Sequence, residues 1–285
     1  YRPPFLLPGR PIGLRKDGAV VSFFKHPQGL PRTPRAWTLS GGSTDETIEV
    51  LSTSEGVDWR SEPDAGQSDA LNRALQRASG EWVAWLNADE FYLPGGIEAL
   101  VQEGERTGAD VVYGDCVFVD EEGRFLRLVP QHPFSGTVLR RYGCFIATVA
   151  TVFRRSALPH PWVDPNVERI MDWDLFLRLR SRGARFVWVP RPIGAFRVHA
   201  GRITAQPVGR HAASFRLVEA RHGVDRPRSV AAVGRAEHAL RKLLAGSYHR
   251  QVRAGRLRGR DFRWFATEEG RRAVEELFAI YHIRS

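Results

Sequence analysis

The stretch that most constrains this chain is Gly80–Tyr92, with the sequence GEWVAWLNADEFY. It begins with a continuous apolar run, Trp82–Leu86, which is typical of a strand covered on both faces in a parallel sheet. Asn87, Asp89 and Glu90 follow at the point where that strand should end. Ligands of open α/β sheets bind beyond the carboxyl ends of the strands, so these side chains suit a hard cation that carries a phosphate. The alternative is a polar turn that only caps a core strand.

Strand and helix patterns alternate along the rest of the chain. A capping box at Ser43–Glu46 predicts a helix that ends near Thr53. The segment from Ser68 to Ala78 has apolar residues at helical spacing, and Met171–Arg182 is predicted to be another helix. Alternation of this kind predicts the α/β class, with a mostly parallel central sheet between helical layers. Further strands are predicted at Ala19–Phe24, Trp37–Leu39, Val111–Asp115, Thr148–Arg154, Phe186–Val189 and Ile193–Val198, a hairpin at Cys116–Val129, and further helices from Pro94 and at His211–Val218, Ser229–Leu244 and Glu268–Ile280.

Composition narrows the class of protein further. The 285 residues, 42% of them hydrophobic, are enough to build a sizeable globular core. Two cysteines, Cys116 and Cys144, are too few and too far apart for a disulfide scaffold or a zinc site. No segment approaches the roughly 18 consecutive apolar residues of a membrane span, and no signal peptide is visible. We therefore expect a cytoplasmic protein.

Positive charge is concentrated near the end of the sequence. The formal net charge is +10, and residues 201–285 hold 18 Lys or Arg against 8 Asp or Glu, so residues 1–200 have no net charge. Residues 1–36 hold 7 of the 18 prolines, which disfavour helices and central strands. We predict an irregular N-terminal segment with the first strand at 1–36, a core domain at 37–205 and a basic helical extension at 206–285.

Six arginines lie between positions 250 and 263 of this extension, close to Phe262, Trp264 and Phe265. Arginine beside aromatic residues suits an anionic membrane surface, which would place the protein at the inner face of the cell membrane. Nucleic acid is not expected, because no recognition module accompanies the basic residues. The remaining alternatives are the phosphates of a lipid-diphosphate acceptor and a solvated helical extension.

The order of several short motifs resembles a known family. SGGSTDET, SEPDAGQSDALNRAL, GEWVAWLNADEFYLPGG, DVVYGD, MDWDLFLRL and FRVH follow one another at natural spacings over about Thr38–Thr204. Together they resemble the family 2 glycosyltransferases of the GT-A fold, a Rossmann-like α/β architecture. The resemblance implies a nucleotide-diphosphate sugar donor, a divalent metal, Mn²⁺ or Mg²⁺, and an inverting single displacement.

The resemblance also implies roles for particular residues. Asp89 would hold the metal that bridges the two donor phosphates, with Glu90 beside it, and His199 would reach the metal or the diphosphate. Asp172, at a helix start, would be the general base that deprotonates the acceptor hydroxyl. The alternatives are a helix N-cap for Asp172 and a solvated strand end for His199. Donor-binding roles would belong to Ser40, Glu62, Asp64, Gln67, Asp69, Asn87 and Ala88, of which some loop members would only cap the following helix.

The sequence also departs from the family pattern. Ser40 stands where the family usually has aspartate, and Asn87 replaces the first acid of the metal motif. Only 15 residues separate Ala19–Phe24 from Ser40, so the first helix of the family is missing or rebuilt. These departures keep a second hypothesis open, in which a non-catalytic relative binds a sugar nucleotide or acts as a scaffold.

The leading hypothesis is a metal-dependent glycosyltransferase of the hexosyltransferase type. It would move a sugar, with UDP as the expected nucleotide, to a glycan or lipid-linked acceptor in the synthesis of a polysaccharide or cell-surface glycan. A third hypothesis is an adaptor that binds a membrane or nucleic acid through the basic extension.

Overall fold

The structure, a computed structural model, describes residues 19–24, 35–40, 47–53, 57–87, 89–167, 170–198, 212–224 and 227–278. The chain forms two compact units. The first unit comprises residues 1–89, 152–184 and 200–225, and the second comprises residues 90–151, 185–199 and 226–285. The strands are β1 (Ala19–Phe24), β2 (Arg35–Ser40), β3 (Val57–Ser61), β4 (Trp82–Asn87), β5 (Phe91–Tyr92), β6 (Val111–Val119), β7 (Phe125–Val129), β8 (Thr151–Arg154) and β9 (Phe186–Arg197), and the helices are α1 (Thr47–Thr53), α2 (Gln67–Arg77), α3 (Gly96–Thr107), α4 (Gly136–Arg141), α5 (Met171–Ser181), α6 (Ala212–His222), α7 (Arg228–Leu244), α8 (Ser247–Ala254), α9 (Phe262–Ala266) and α10 (Glu268–Phe278).

The predicted α/β class is confirmed, but the sheet is mixed rather than mostly parallel. In the first unit the strand order is β3-β2-β1-β4-β8. Only the β2–β3 pair is parallel there, because β1 runs antiparallel to both β2 and β4, and β4 runs antiparallel to β8. The ten residues 25–34 link β1 to β2, and a parallel connection would need a crossover of about a dozen residues or more. The short link therefore explains the reversed direction of β1.

The core of the first unit forms around β4. All five residues from Trp82 to Leu86 are buried, as predicted for a strand that is covered on both faces. Leu71 and Ala74, one helical turn apart on α2, are fully buried. The predicted helix over Ser68–Ala78 is thus confirmed as α2, with its apolar face directed into the core.

Two pairs of predicted strands in the second unit are single long strands. Val111–Asp115 and the first arm of the hairpin form one strand, β6, and Phe186–Val189 and Ile193–Val198 form one strand, β9. β6 and β9 are parallel, with register shifts on either side of Asp115. Pro190 and Pro192 lie between the two predicted strands and lack the N–H that a ladder needs. In the structure β9 continues through them, and its pairing with β6 is irregular there.

The helices predicted as one C-terminal extension divide between the units. α6 belongs to the first unit, and α7–α10 belong to the second. In the second unit, Phe265 of α9 and Val274 of α10 are buried in a cluster with Phe125 and Leu128 of β7. No helix within the described residues has the length and apolar character needed to cross a membrane.

A buried ion pair holds α8 to β6. Arg250 and Asp115 both have fully buried side chains, and Arg250 Nε lies 3.1 Å from Asp115 Oδ2. Asp115 Oδ1 also accepts hydrogen bonds from the Gln131 amide and from Trp188 Nε1. Burial raises the pKa of Asp115 to about 6, although the Arg250 charge and these donors lower it. Arg250 is therefore part of the core. The sequence had grouped it with the arginines predicted to face an anionic membrane surface.

Loss of this ion pair should destabilise the second unit. Arg250→Met leaves the Asp115 carboxylate buried without its cation, and we expect the free energy of unfolding to fall by about 3–5 kcal/mol. Urea denaturation followed by circular dichroism measures this change. Arg256→Met is the matched control, because Arg256 is exposed, and its effect should stay within about 0.5 kcal/mol. Equal effects of the two substitutions would contradict a structural role for the pair.

Candidate active site

The carboxyl ends of three strands of the first unit lie at one edge of its sheet. Ala19 of β1 pairs with Leu39 of β2 on one side and with Asn87 of β4 on the other. Leu39 in turn pairs with Arg60 of β3. Because β1 is antiparallel to β2 and β4, these two strands and β3 run in one direction and end together. Ser40 is the last residue of β2 at this edge; the structure places its backbone, and its side chain lies outside the description.

Two N–H groups converge on the side-chain oxygen of Asn87. Gln67 Nε2, at the start of α2, lies 2.7 Å from Asn87 Oδ1, and Trp85 Nε1 lies 3.1 Å from the same oxygen. A carbonyl oxygen has two lone pairs, so these donors engage its full accepting capacity. Asn87 therefore uses this oxygen to join β4 to α2, and the oxygen is not available to coordinate a metal ion.

The start of α5 is attached to the same region. Ser68 Oγ donates a hydrogen bond to Met171 Sδ at 3.3 Å, so the first residues of α2 and α5 are in contact. One turn further along α2, Asn72 hydrogen-bonds both the carbonyl and the amide of Val163, in the segment before α5. Asp172 follows Met171 directly. The fold thus brings the ends of the strands, the start of α2 and the start of α5 together.

Asp172 lies in the first turn of α5 and is partly buried. Its Oδ1 accepts a hydrogen bond from the Trp173 amide at 2.8 Å. The N-cap position is Ile170, which makes no side-chain capping bond, so the N-cap alternative for Asp172 is wrong. A carboxylate in the first turn of a helix interacts favourably with the helix dipole.

Asp174, two residues further on, has a different environment. Its side chain is fully buried, and its oxygens lie 2.8 Å from Arg178, 3.0 Å from Arg221 and 2.9 Å from His222. Burial alone would raise the pKa of Asp174, but the His222 hydrogen bond and the two arginine charges hold it below its usual value. Asp174 therefore fastens α6 to α5 within the first unit and is a structural residue.

The acids in and after the loop before α2 differ in their contacts. Asp69 and Glu62 contact groups of the protein itself. Asp69 accepts hydrogen bonds from the Ala65 amide and from Arg73, so it caps and pairs within α2. Glu62 lies 3.9 Å from Arg73 and 3.8 Å from Arg77, at the outer limit of an ion pair. These contacts bear out the alternative that some loop acids serve the following helix.

Asp64 differs from both neighbours in having a buried oxygen without a partner. Its Oδ1 accepts the Gly66 amide at 2.9 Å, where Gly66 has a φ of 107° that favours glycine. Asp64 Oδ2 is buried and has no hydrogen-bond partner in the structure. Buried acceptors are nearly always satisfied in folded proteins, so this oxygen suits a ligand that donates a hydrogen bond.

The predicted metal residues are described only in part. Asp89 lies in the turn after β4 and is partly buried, whereas Glu90 begins the second unit and is 7% exposed. Ala88 and His199 lie outside the described residues. Across the described part of the chain, no three His, Cys, Asp or Glu side chains form a group that could hold a metal ion. A carboxylate such as Asp89 fits a hard cation whose remaining ligands are donor phosphates and water, because Mg²⁺ is usually bound in that way.

Sequence reasoning missed the contacts that assemble this site. Trp85 and Asn87 lie two residues apart on β4, and side chains at that spacing share a face of a strand, so their contact could have been predicted. The contacts of Ser68 with Met171 and of Asp174 with Arg221 join residues 103 and 47 positions apart. No local pattern indicates such pairs.

Residues 18–159 match the sequence profile of the family described as "Glycosyl transferase family 2". Over these residues the chain belongs to glycosyl transferase family 2. The resemblance drawn from the motifs is therefore confirmed, and the site lies within a family 2 fold. The matched range does not include Val163, Met171 or Asp172. Contacts of α2 with Val163 and Met171 connect this segment to the matched residues.

Curated relatives of this family 2 chain cover part of its length. AmsB of Erwinia amylovora, named an amylovoran biosynthesis glycosyltransferase, is 26% identical over 146 residues, which are 48% of this chain and 48% of that protein. A PGL/p-HBAD biosynthesis glycosyltransferase of Mycobacterium bovis is 34% identical over 86 residues, which are 28% of this chain and 34% of that protein. The chain thus spans about half of the first relative and a third of the second.

Among solved structures, S. aureus TarS in complex with UDP-GlcNAc is similar in fold. The TM-score is 0.50 at 14% sequence identity, over 72% of this chain and 62% of that one. At this identity the likeness shows the fold alone, and it agrees with the predicted GT-A architecture.

The two acids at the start of α5 should respond differently to the same substitution. Asp174→Asn removes a buried charge from two arginines and a histidine, and we expect the free energy of unfolding to fall by about 3 kcal/mol. Asp172→Asn alters a partly exposed group and should cost about 0.5 kcal/mol or less. Thermal and urea denaturation compare the two variants directly. A larger loss in Asp172→Asn would reverse the assignment of the structural acid.

Proposed function

We propose that the protein is an inverting glycosyltransferase that moves a sugar from a nucleotide-diphosphate donor to an acceptor hydroxyl. The observation that carries the proposal is the position of Asp172, a partly exposed carboxylate in the first turn of α5. Its neighbour Met171 contacts Ser68 at the start of α2, within the residues that match family 2. Asp174 beside it is fully engaged in ion pairs, so Asp172 is the acid of this helix that suits proton transfer.

In the proposed mechanism Asp172 acts as the general base. Its carboxylate accepts the proton of the acceptor hydroxyl as that oxygen forms a bond to the anomeric carbon. The bond from the anomeric carbon to the diphosphate oxygen breaks on the opposite face, and the electron pair leaves with the nucleoside diphosphate. A single displacement of this kind inverts the anomeric configuration and needs one base.

The donor would bind along the strand ends. Asp64 Oδ2, the buried oxygen without a partner, would accept a hydrogen bond from an N–H or O–H group of the nucleoside. Gln67 and Asn87 would position that end of the site, and Ser40 and Ala88 are proposed to line it. Asp89 would hold a divalent cation, Mn²⁺ or Mg²⁺, which offsets the charge of the departing diphosphate, and Glu90 and His199 remain proposed as further ligands.

The donor nucleotide and the acceptor are proposed from the relatives. TarS, the neighbour in fold, was crystallised with UDP-GlcNAc, so UDP is the first nucleotide to test. Two curated relatives are named for the biosynthesis of amylovoran and of PGL/p-HBAD. A glycan or lipid-linked acceptor is consistent with these names.

A second candidate is a non-catalytic relative that keeps the fold. It is favoured by Asn87, whose oxygen is engaged within the protein at the position where the family carries a metal-binding acid. The two candidates differ in turnover, because only the enzyme would release nucleoside diphosphate in the presence of acceptor.

Asp172→Asn should abolish transfer while donor binding persists. Loss of the base should lower kcat at least about 100-fold, because general-base catalysis contributes roughly 10²–10⁴. Release of nucleoside diphosphate in the presence of acceptor measures kcat, and calorimetric titration measures donor affinity, which should change less than about twofold. The matched control is Glu98→Gln, another carboxylate in the first turn of a helix. Turnover that survives in Asp172→Asn would refute the base assignment.

Asp64→Asn should weaken binding of the nucleotide donor and leave the fold intact. The amide retains an oxygen for the Gly66 N–H but presents a donor where Oδ2 stood, and we expect an affinity loss of about tenfold or more. The measurement is the rise in melting temperature with UDP and Mn²⁺, about 2–4 °C for a nucleotide at 100 times its Kd. Asp58→Asn, at an exposed aspartate of the same unit, is the control. A cooperative wild-type melt that no nucleotide shifts would favour a scaffold without a donor site.

A further inference from the structure

Large apolar side chains that face solvent are concentrated in α7 and α8. Scattered exposed hydrophobic residues are normal on a protein surface, whereas a cluster of them marks an interaction site. Of the eight large hydrophobic side chains that are exposed in the described part of the chain, six lie within twenty consecutive residues. We call these six residues the α7–α8 surface: Val233, Leu240, Leu243, Leu244, Tyr248 and Val252.

The apolar residues of α7 lie on a different side of the helix from the one that contacts its packing partner. Val233, Leu240 and Leu244 are spaced by seven and four residues, so they lie along one stripe of the helix. The side that packs on α4 lies about a quarter of a turn around the helix from this stripe, where a Cβ added to Gly234 would lie 2.7 Å from the backbone carbonyl carbon of Arg141. The stripe is exposed because α7 packs on α4 through a different face.

The exposed apolar residues of α8 also lie on the side of the helix that is not packed against the second unit. Tyr248 and Val252 lie one turn apart and are 46% and 77% exposed. Arg250 and Ala254, on the other face, are buried in the second unit. The buried ion pair between Arg250 and Asp115 holds α8 in this orientation, so the apolar side chains are presented by a rigid element.

The charge around these helices has one sign. Residues 228–260 contain nine Lys or Arg and a single acid, Glu237, which pairs with Arg241 at 2.9 Å. Arg228 and Arg235 are exposed and lie seven residues apart on α7, on the side of the helix roughly opposite the apolar stripe. Two further exposed arginines, Arg256 and Arg258, follow α8. A second copy of the same surface would be repelled, whereas an anionic partner would be attracted.

We propose that the α7–α8 surface docks on an anionic phospholipid membrane. The leucines and Val233 would enter the boundary between headgroups and acyl chains, and the arginines would contact lipid phosphates. An apolar stripe on one face of a helix with arginine on another face is the pattern of an interfacial helix, and nucleic acid would leave the leucines exposed. This proposal goes beyond sugar transfer and does not depend on it, because membrane binding is measured without donor or acceptor.

The test is co-sedimentation of the full chain with vesicles of phosphatidylcholine containing 30% phosphatidylglycerol, compared with phosphatidylcholine alone. We expect binding to the anionic vesicles that weakens at high salt, because the arginine contribution is screened. The double substitution Leu240→Ser and Leu244→Ser should reduce the partition coefficient by about tenfold or more. The matched control is Leu126→Ser, an exposed leucine on β7 outside the α7–α8 surface.

Circular dichroism melts test whether each variant is folded, which we expect because the substituted positions are exposed. Binding that is equal in the double variant and in Leu126→Ser would overturn the role of the apolar stripe. Absence of binding to either vesicle would overturn the proposal, as would a dimer in sedimentation velocity that the double variant dissociates. Retained binding to single-stranded DNA in the double variant, without vesicle binding, would assign the basic residues to nucleic acid instead.

Discussion

The hydrogen bonds to Asn87 Oδ1 are the contacts on which the candidate active site depends. β4 is buried along its length and can end in a polar residue only if that residue finds partners. Gln67 and Trp85 supply them, and the bond from Gln67 also sets where α2 begins relative to the strand ends. Once α2 is placed, its next residue, Ser68, contacts Met171 and so determines where Asp172 lies. The position of the proposed base thus follows from an amide oxygen at the end of a different strand.

Each unit contains a buried carboxylate whose ion pairs join a helix to a neighbouring element. Asp174 joins α5 to α6 through two arginines and a histidine, and Asp115 joins β6 to α8 through Arg250. Replacing such a pair by apolar residues is often neutral, whereas removing one partner is costly. These pairs therefore specify which helix packs where more than they add net stability. In the second unit the ion pair also fixes the orientation of α8, and this orientation decides which of its side chains face solvent.

The acids of this protein show why residue type alone does not assign a role. Asp172 and Asp174 are two residues apart on one helix, and Asp64 and Asp69 border one loop. In each pair, one carboxylate is bound by the protein's own arginines. Of the other two, Asp172 is partly exposed and Asp64 has a buried oxygen without a hydrogen-bond partner. The difference lies in what packs against each side chain. Arg221 and His222, which engage Asp174, come from a helix almost fifty residues further along the chain.

Local sequence patterns determined the α/β class, the buried strand β4, the helix α2 and the family. Each of these follows from apolar periodicity or from short motifs, which are set by neighbouring residues in the chain. The sequence also indicated that the link after β1 is too short for the usual helix. Only the tertiary structure decided the continuity of β9 through two prolines and the burial of Arg250. It alone separated Asp172 from Asp174 and exposed the leucines of α7, because burial and pairing depend on residues that are distant in sequence and meet only when the chain is folded.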